Sequence, residues 1–253
     1  MPAPSSVAGR ELLDFAGDLY PICRSITGSG LRETLRRVKS RIPLRIHEVK
    51  SGSRAFDWEV PPEWNIDGAY IRGPDGRAVV DFRDHNLHVV GYSEPVDRTL
   101  DLDELRRHLH AHAANPDWIP YRTSYYTRRW GFCLARRQLE GLPRGRYRAV
   151  VSARLAPGSL SYGEFTLPGA SREEVLFFTH ACHPSLANDN TTGIAVATRL
   201  AAWLAESRRR YTYRIVFAPG TIGSLCWLKK NEHGLHRVRH GLVLGLLGDR
   251  APL

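Results

Sequence analysis

Hydrophobic positions follow three regimes along the chain. In the first, residues 9–20 (GRELLDFAGDLY) have the spacing of a short amphipathic helix stopped by Pro21. Leu31, Leu35 and Val38 give LRETLRRVKSRI the same period. From Leu44 the period shortens. LRIHEV, NIDGAYIR, AVVDF and LHVVGY read as short strands, separated by turn signals such as GPDG at 73–76. This stretch predicts a small antiparallel β unit. Within it, DLDELRRHLHAHA predicts a helix capped by Asp101 or Asp103, and YRAVVSARL and LSYGEFTLPG predict two more strands. From Glu173 the pattern changes again. EEVLFFTH, YTYRIVFAP and GLVLGLLGD are apolar strands, with the helical segments TTGIAVATRLAAWLAE and GSLCWLKKNE between them. Strands of this kind alternating with helices predict an α/β layer with parallel pairing.

In parallel sheets, ligand chemistry gathers beyond the carboxyl ends of the strands. The three predicted strands end in Thr179–His180, in 218–220 (APG) and in Gly248–Asp249. His180, Asp189 and Asp249, one imidazole and two carboxylates brought together by the fold, make a plausible zinc set. His183, in a turn shaped by Pro184, is a further ligand, an outer hydrogen-bond donor or a plain turn histidine. Asp189 has a competing structural reading, because it or Asn188 can cap the helix starting near Thr191. A Cys182–His183 nucleophile–base pair is disfavoured, since adjacent side chains rarely point at one another.

The net charge of +10 raises the question of nucleic acid. Only four of the basic residues are lysines, the arginines are scattered, and no recognition motif accompanies them. Nucleic-acid binding by this chain is not expected. No run of ~18 apolar residues suggests a membrane span, and the first fifteen residues lack the pattern of a secretory signal. Four widely spaced cysteines form no CxxC pair and fit reduced thiols in a cytoplasmic protein. The oligomeric state is not legible.

Three other features invite functional readings. Tyr126, Arg128 and Arg129 in TSYYTRRWGFC have the chemistry of a substrate lid, in which an aromatic stacks and an arginine meets a carboxylate. The preferred alternative is that the segment packs the β unit on the catalytic layer. His108, His110 and His112 resemble a metal tract, but on a helix that spacing does not put all three on one face. The TGSG loop before residue 31 is a weak signal for phosphate at a helix start.

Residues 173–249 resemble the co-catalytic zinc aminopeptidases through the ordered phrases FFTH, ANDNTTG, IVFAPGTIGS and GLLGD. The whole chain resembles, more specifically, a bacterial family of aminopeptidase-like proteins. The phrases that carry this are FDWEVPPEWNIDGAYI, HNLHVVGYSEPVD, IPYRTSYYTRRWGFCL, SYGEFTLPG, CHPSLANDN and TIGS. The resemblance implies a zinc-aminopeptidase-like, phosphorylase/hydrolase-like α/β three-layer core, made of residues 1–55 and 166–253. A small β-rich domain, 56–165, is inserted in it. The core would be incomplete at its C-terminus, with a winged-helix domain often following in the family. It further implies a zinc-dependent hydrolase cleaving an amide bond in a peptide or small amino-acyl conjugate. Metal would be held by His180, Asp189 (the potential bridge) and Asp249, with His183 and Cys182 accessory. One zinc ion is expected, with a full-length protein leaving room for a second. Two departures stand out. Gly220 replaces the glutamate of the PETIGS phrase that is frequent in relatives, and Cys182 replaces an aspartate that usually orients the first histidine. The family's last histidine falls beyond residue 253. The competing implication is a catalytically degenerate protein with a binding or regulatory role, one version of which acts on nucleic acid through a winged-helix domain missing from this chain.

Overall fold

A computed structural model describes residues 6–248. The chain divides into two compact units, one of residues 1–62 with 157–253 and one of Glu63–Ala156.

The first unit opens with helices α1 (Ser6–Leu19) and α2 (Ser29–Lys39), close to the predicted spans. The TGSG loop is explained by packing: Gly28 has φ 95°, and a Cβ on Gly30 would fall 1.9 Å from the carbonyl oxygen of Cys23. Strand β1 (Arg45–Lys50) and a two-residue hairpin, β2 (Arg54–Ala55) with β3 (Trp58–Glu59), follow.

The second unit is a four-stranded antiparallel sheet. It contains β4 (Glu63–Arg72), β5 (Ala78–Asp81), β6 (Val96–Asp101) and, later, β9 (Arg146–Ala156), in the order β5-β4-β9-β6. Its own core gathers Ile71, Leu100, Leu105, Phe132, Tyr147 and Val151. Two sequence expectations change here. Residues 87–92 form no strand: Asn86–His88 is a single 3-10 turn and only isolated bridges follow. The helix expected over 101–113 stops early as α3 (Leu102–Arg106), capped by Asp101 as predicted. Leu109–His110 is instead β7, paired with β8 (Phe132–Cys133), because the apolar contacts of this segment run to the strand partner. His108 stacks on Trp130 at 3.7 Å, so the three histidines form no tract. A short helix, α4 (Arg136–Glu140), precedes β9.

The chain then returns to the first unit with β10 (Ser159–Leu167), β11 (Glu174–His180), helix α5 (Thr192–Ala205), β12 (Thr212–Ala218), helix α6 (Ile222–Asn231) and β13 (Val238–Val243). The five-stranded sheet has the order β1-β10-β12-β11-β13. β11 runs parallel to β12 and to β13, as the apolar strand–helix pattern predicts; β10 runs antiparallel to β1 and β12. β10 therefore belongs to this sheet, whereas the sequence reading put residues up to 165 in the insert. Its backbone groups are satisfied by β1 and β12, which also complete the layer on that side. One face of the sheet buries Phe165, Ile215 and Phe217 against Phe15, Leu19, Leu31, Leu35, Ala197 and Ala201 of the helices. α6 contacts β10 and buries Cys226 and Trp227. Among the described residues β13 is an edge strand, as is β1, and the predicted span of β13 was too late. It ends at Val243, because Leu246 (φ 57°) and Gly248 (φ 90°) leave the extended conformation.

Candidate metal centre

His180 is the last residue of β11, level with Ala218 of β12. Parallel strands present their carboxyl ends together, so the turn after His180 lies at the rim where such sheets bind ligands. Residues 187–191 form a kinked turn, with Asp189 at φ −126°, ψ 66° and a cis bond to Asn190, before α5 begins.

That turn folds Asp189 back onto both histidines. His180 Nε2 lies 2.5 Å from Asp189 Oδ1, and His183 Nδ1 lies 3.1 Å from Oδ2. The imidazoles meet edge to face, 4.9 Å apart. One ligand atom from each of His180, His183 and Asp189 falls within 4.8 Å of the others, the one group of this kind among the described residues. No side chain caps the start of α5; the Asp189 carboxylate is spent on the histidines instead, which removes the helix-cap reading.

Two imidazoles and a carboxylate match the donor set of zinc. Donors sharing a tetrahedral ion stand roughly 3–4 Å apart, so His180 and Asp189 must separate by roughly 1 Å for both to ligate one ion. Burial holds His183 below the ordinary histidine range, although Asp189 pulls the other way. A neutral ring is the form that ligates.

The support around the site went unseen in the sequence. Asn190 is 2% exposed. Its Nδ2 donates to Thr179 Oγ1 (2.8 Å), His180 O (2.9 Å) and Leu244 O (3.3 Å), joining the end of β11 to the chain beyond β13. A Cβ on Gly193 would fall 2.1 Å from Asn190 Oδ1, so only glycine lets the amide lie there. Arg24, 1% exposed, donates from Nε to the carbonyl of His183 (2.9 Å) and from Nη1 to that of Leu19. It thereby ties the histidine turn to the end of α1. Neither role has a local sequence signature, because both follow from burial.

The remaining candidates separate. Cys182 is fully buried, and burial pushes its thiol up to about 11 while its Sγ faces Gly220 O at 3.8 Å. It is no nucleophile at neutral pH. A Cβ on Gly220 would meet only His180 Cβ, at 3.7 Å, so position 220 borders the site without contributing to it. Asp249 lies outside the described residues. Tyr126, Arg128 and Arg129 lie exposed in the second unit, with Arg128 Nε paired to Glu94 at 3.1 Å.

Comparison with known proteins gives a consistent picture. A protein of Clostridium acetobutylicum is 48% identical over 97% of this chain and bears the provisional name polysaccharide biosynthesis protein with aminopeptidase-like domain. A crystal structure from the same organism, described provisionally as a peptidase, matches 98% of the chain at 46% identity with a TM-score of 0.95. The chain spans 56% and 58% of the length of these two. A zinc aminopeptidase from Bacillus subtilis shares the fold alone, with 11% identity and a TM-score of 0.65 over 95% of this chain and 69% of its own. The family profile described as domain of unknown function DUF4910 matches residues 13–253. The chain belongs to that family, and its fold is that of the zinc aminopeptidases.

Proposed function

We propose that this chain carries the metal centre of a zinc-dependent hydrolase of aminopeptidase type, cleaving an amide bond in a peptide or small amino-acyl conjugate. The observation that carries the reading is the convergence of His180 Nε2, His183 Nδ1 and both Asp189 oxygens at the carboxyl end of β11. His180 and Asp189 would hold the ion together with His183, and Asp249 remains a proposed further ligand. When bound, zinc supplies Lewis acidity for the scissile carbonyl. Asn190 and Arg24 keep the two histidines in place, and neutral His183 would bind metal through Nδ1 with its ring proton moved to Nε2. Gly220 brings no carboxylate to the rim of the site, so a base at that position is missing, a loss worth about 10²–10⁴-fold in rate.

That same glycine favours a second reading, a catalytically degenerate relative that keeps the metal and serves in binding or regulation. Elemental analysis and hydrolysis assays on the longest natural form of the protein separate the two. The substrates are aminoacyl amides and, given the name of the Clostridium relative, N-acylated amino sugars. Bound zinc with turnover supports the hydrolase, and bound zinc without turnover supports the degenerate protein. Absence of zinc, or zinc retained by Asp189→Ala, contradicts both.

A further inference from the structure

The five-stranded sheet has two edges among the described residues, β1 and β13, and they are built differently. β1 reads RIHEVK, with Arg45, Glu48 and Lys50 charged along its length. Charged side chains keep an edge from pairing with another strand. β13 reads VRHGLV, and its one permanent charge, Arg239, is paired with Glu173 at 2.9 Å. Its second half has no such protection.

Both faces of that second half are bare. Leu242 and Val243 point to opposite faces by the period of a strand. They are 55% and 65% exposed, and Leu246 just beyond is 60% exposed. On β12, two strands away, Ile215, Val216 and Phe217 are all fully buried, so this sheet covers both faces of its interior strands. The backbone of β13 is equally unfinished. Leu244 N–H donates to Phe178 O of β11 at 2.8 Å. Alternation along the strand then turns the N–H and C=O groups of Gly241 and Val243 away from β11, toward the open edge. Among the described residues no strand lies there.

An apolar strand with bare faces and an open ladder has the make-up of a sheet interior, not of an edge. We propose that β13 is an interior strand in a longer polypeptide, paired along Gly241–Val243 with a further apolar strand from outside residues 1–253. The connections of that strand cover Leu242, Val243 and Leu246. Enough chain for this exists in the relatives: residues 1–253 span 56% and 58% of the two Clostridium acetobutylicum proteins and 69% of the Bacillus subtilis zinc aminopeptidase. A second copy of the chain fits worse. Two β13 strands paired antiparallel about Gly241 set Arg239 opposite Val243 and His240 opposite Leu242. Edge-to-edge pairing also leaves both faces bare.

Native-state hydrogen exchange tests this on the longest natural form of the protein and on residues 1–253, each at several concentrations. The amides of Gly241 and Val243 are expected to exchange about 10²-fold or more slowly in the longest form, at every concentration. Val243→Lys gives a second readout that needs the longest form alone. It is expected to lower the melting temperature of that form by about 5 °C or more, because the ammonium group is buried without a partner. Exchange no slower in the longest form, protection that appears only as concentration rises, or an unchanged melting temperature in V243K overturns the proposal. So does a natural protein with no residues outside 1–253.

Discussion

At Gly220 a missing side chain decides what the centre can do. The nearest neighbour of a Cβ there is the His180 Cβ at ordinary contact distance, and the glycine φ is not in the left-handed region. Gly220→Glu should fold and place a carboxylate at the rim. Zinc affinity is expected to rise, and any amide hydrolysis to rise by about 10²-fold or more; unchanged affinity and rate in a folded variant contradict this. Gly193 is the opposite case. Gly193→Ala drives a methyl into Asn190, and a loss of about 1–3 kcal/mol is expected by urea denaturation. The two histidines and Asp189 were legible because they sit where an apolar strand gives way to a helix. Arg24 and Asn190 were not, since a buried arginine or asparagine differs from an exposed one only in what the rest of the chain packs around it.

Among elements, the end of the sheet away from the centre is tied by Glu174. This residue is 4% exposed at the start of β11 and accepts from Arg214 of β12 and from Arg237 just before β13. Burial acts to raise its pKa, but the two guanidinium groups outweigh it and hold the carboxyl below its ordinary value. A depressed folded pKa contributes stability above the unfolded carboxylate range and loses it as pH falls through the folded pKa. Glu174→Gln should therefore cost about 3–5 kcal/mol at pH 7, with the gap to the parent chain narrowing below about pH 4. Chemical denaturation across pH measures it, and a gap independent of pH contradicts the assignment. Element types were legible wherever the period was sustained, as in α5, β11 and β12. They failed at 87–92 and 107–113, where short apolar runs are claimed by bridges and strand partners distant in sequence.

At the scale of the molecule, the division into units follows from two separate cores, one under the five-stranded sheet and one under the four-stranded sheet. Residues 63–156, expressed alone, should unfold cooperatively, as a unit with its own core does; a chain without a thermal transition contradicts this. The boundary was misread at 157–165 because a strand's alternation does not say which sheet receives it. The central claim is the proposal that His180, His183 and Asp189 hold one cation at the rim of the first sheet. Anomalous diffraction at the zinc edge, from crystals of residues 1–253 equilibrated with zinc, tests it most directly. The expected result is one peak about 2.0–2.2 Å from His180 Nε2, His183 Nδ1 and an Asp189 oxygen. Zinc bound only elsewhere, or no peak beside these three side chains, contradicts the claim.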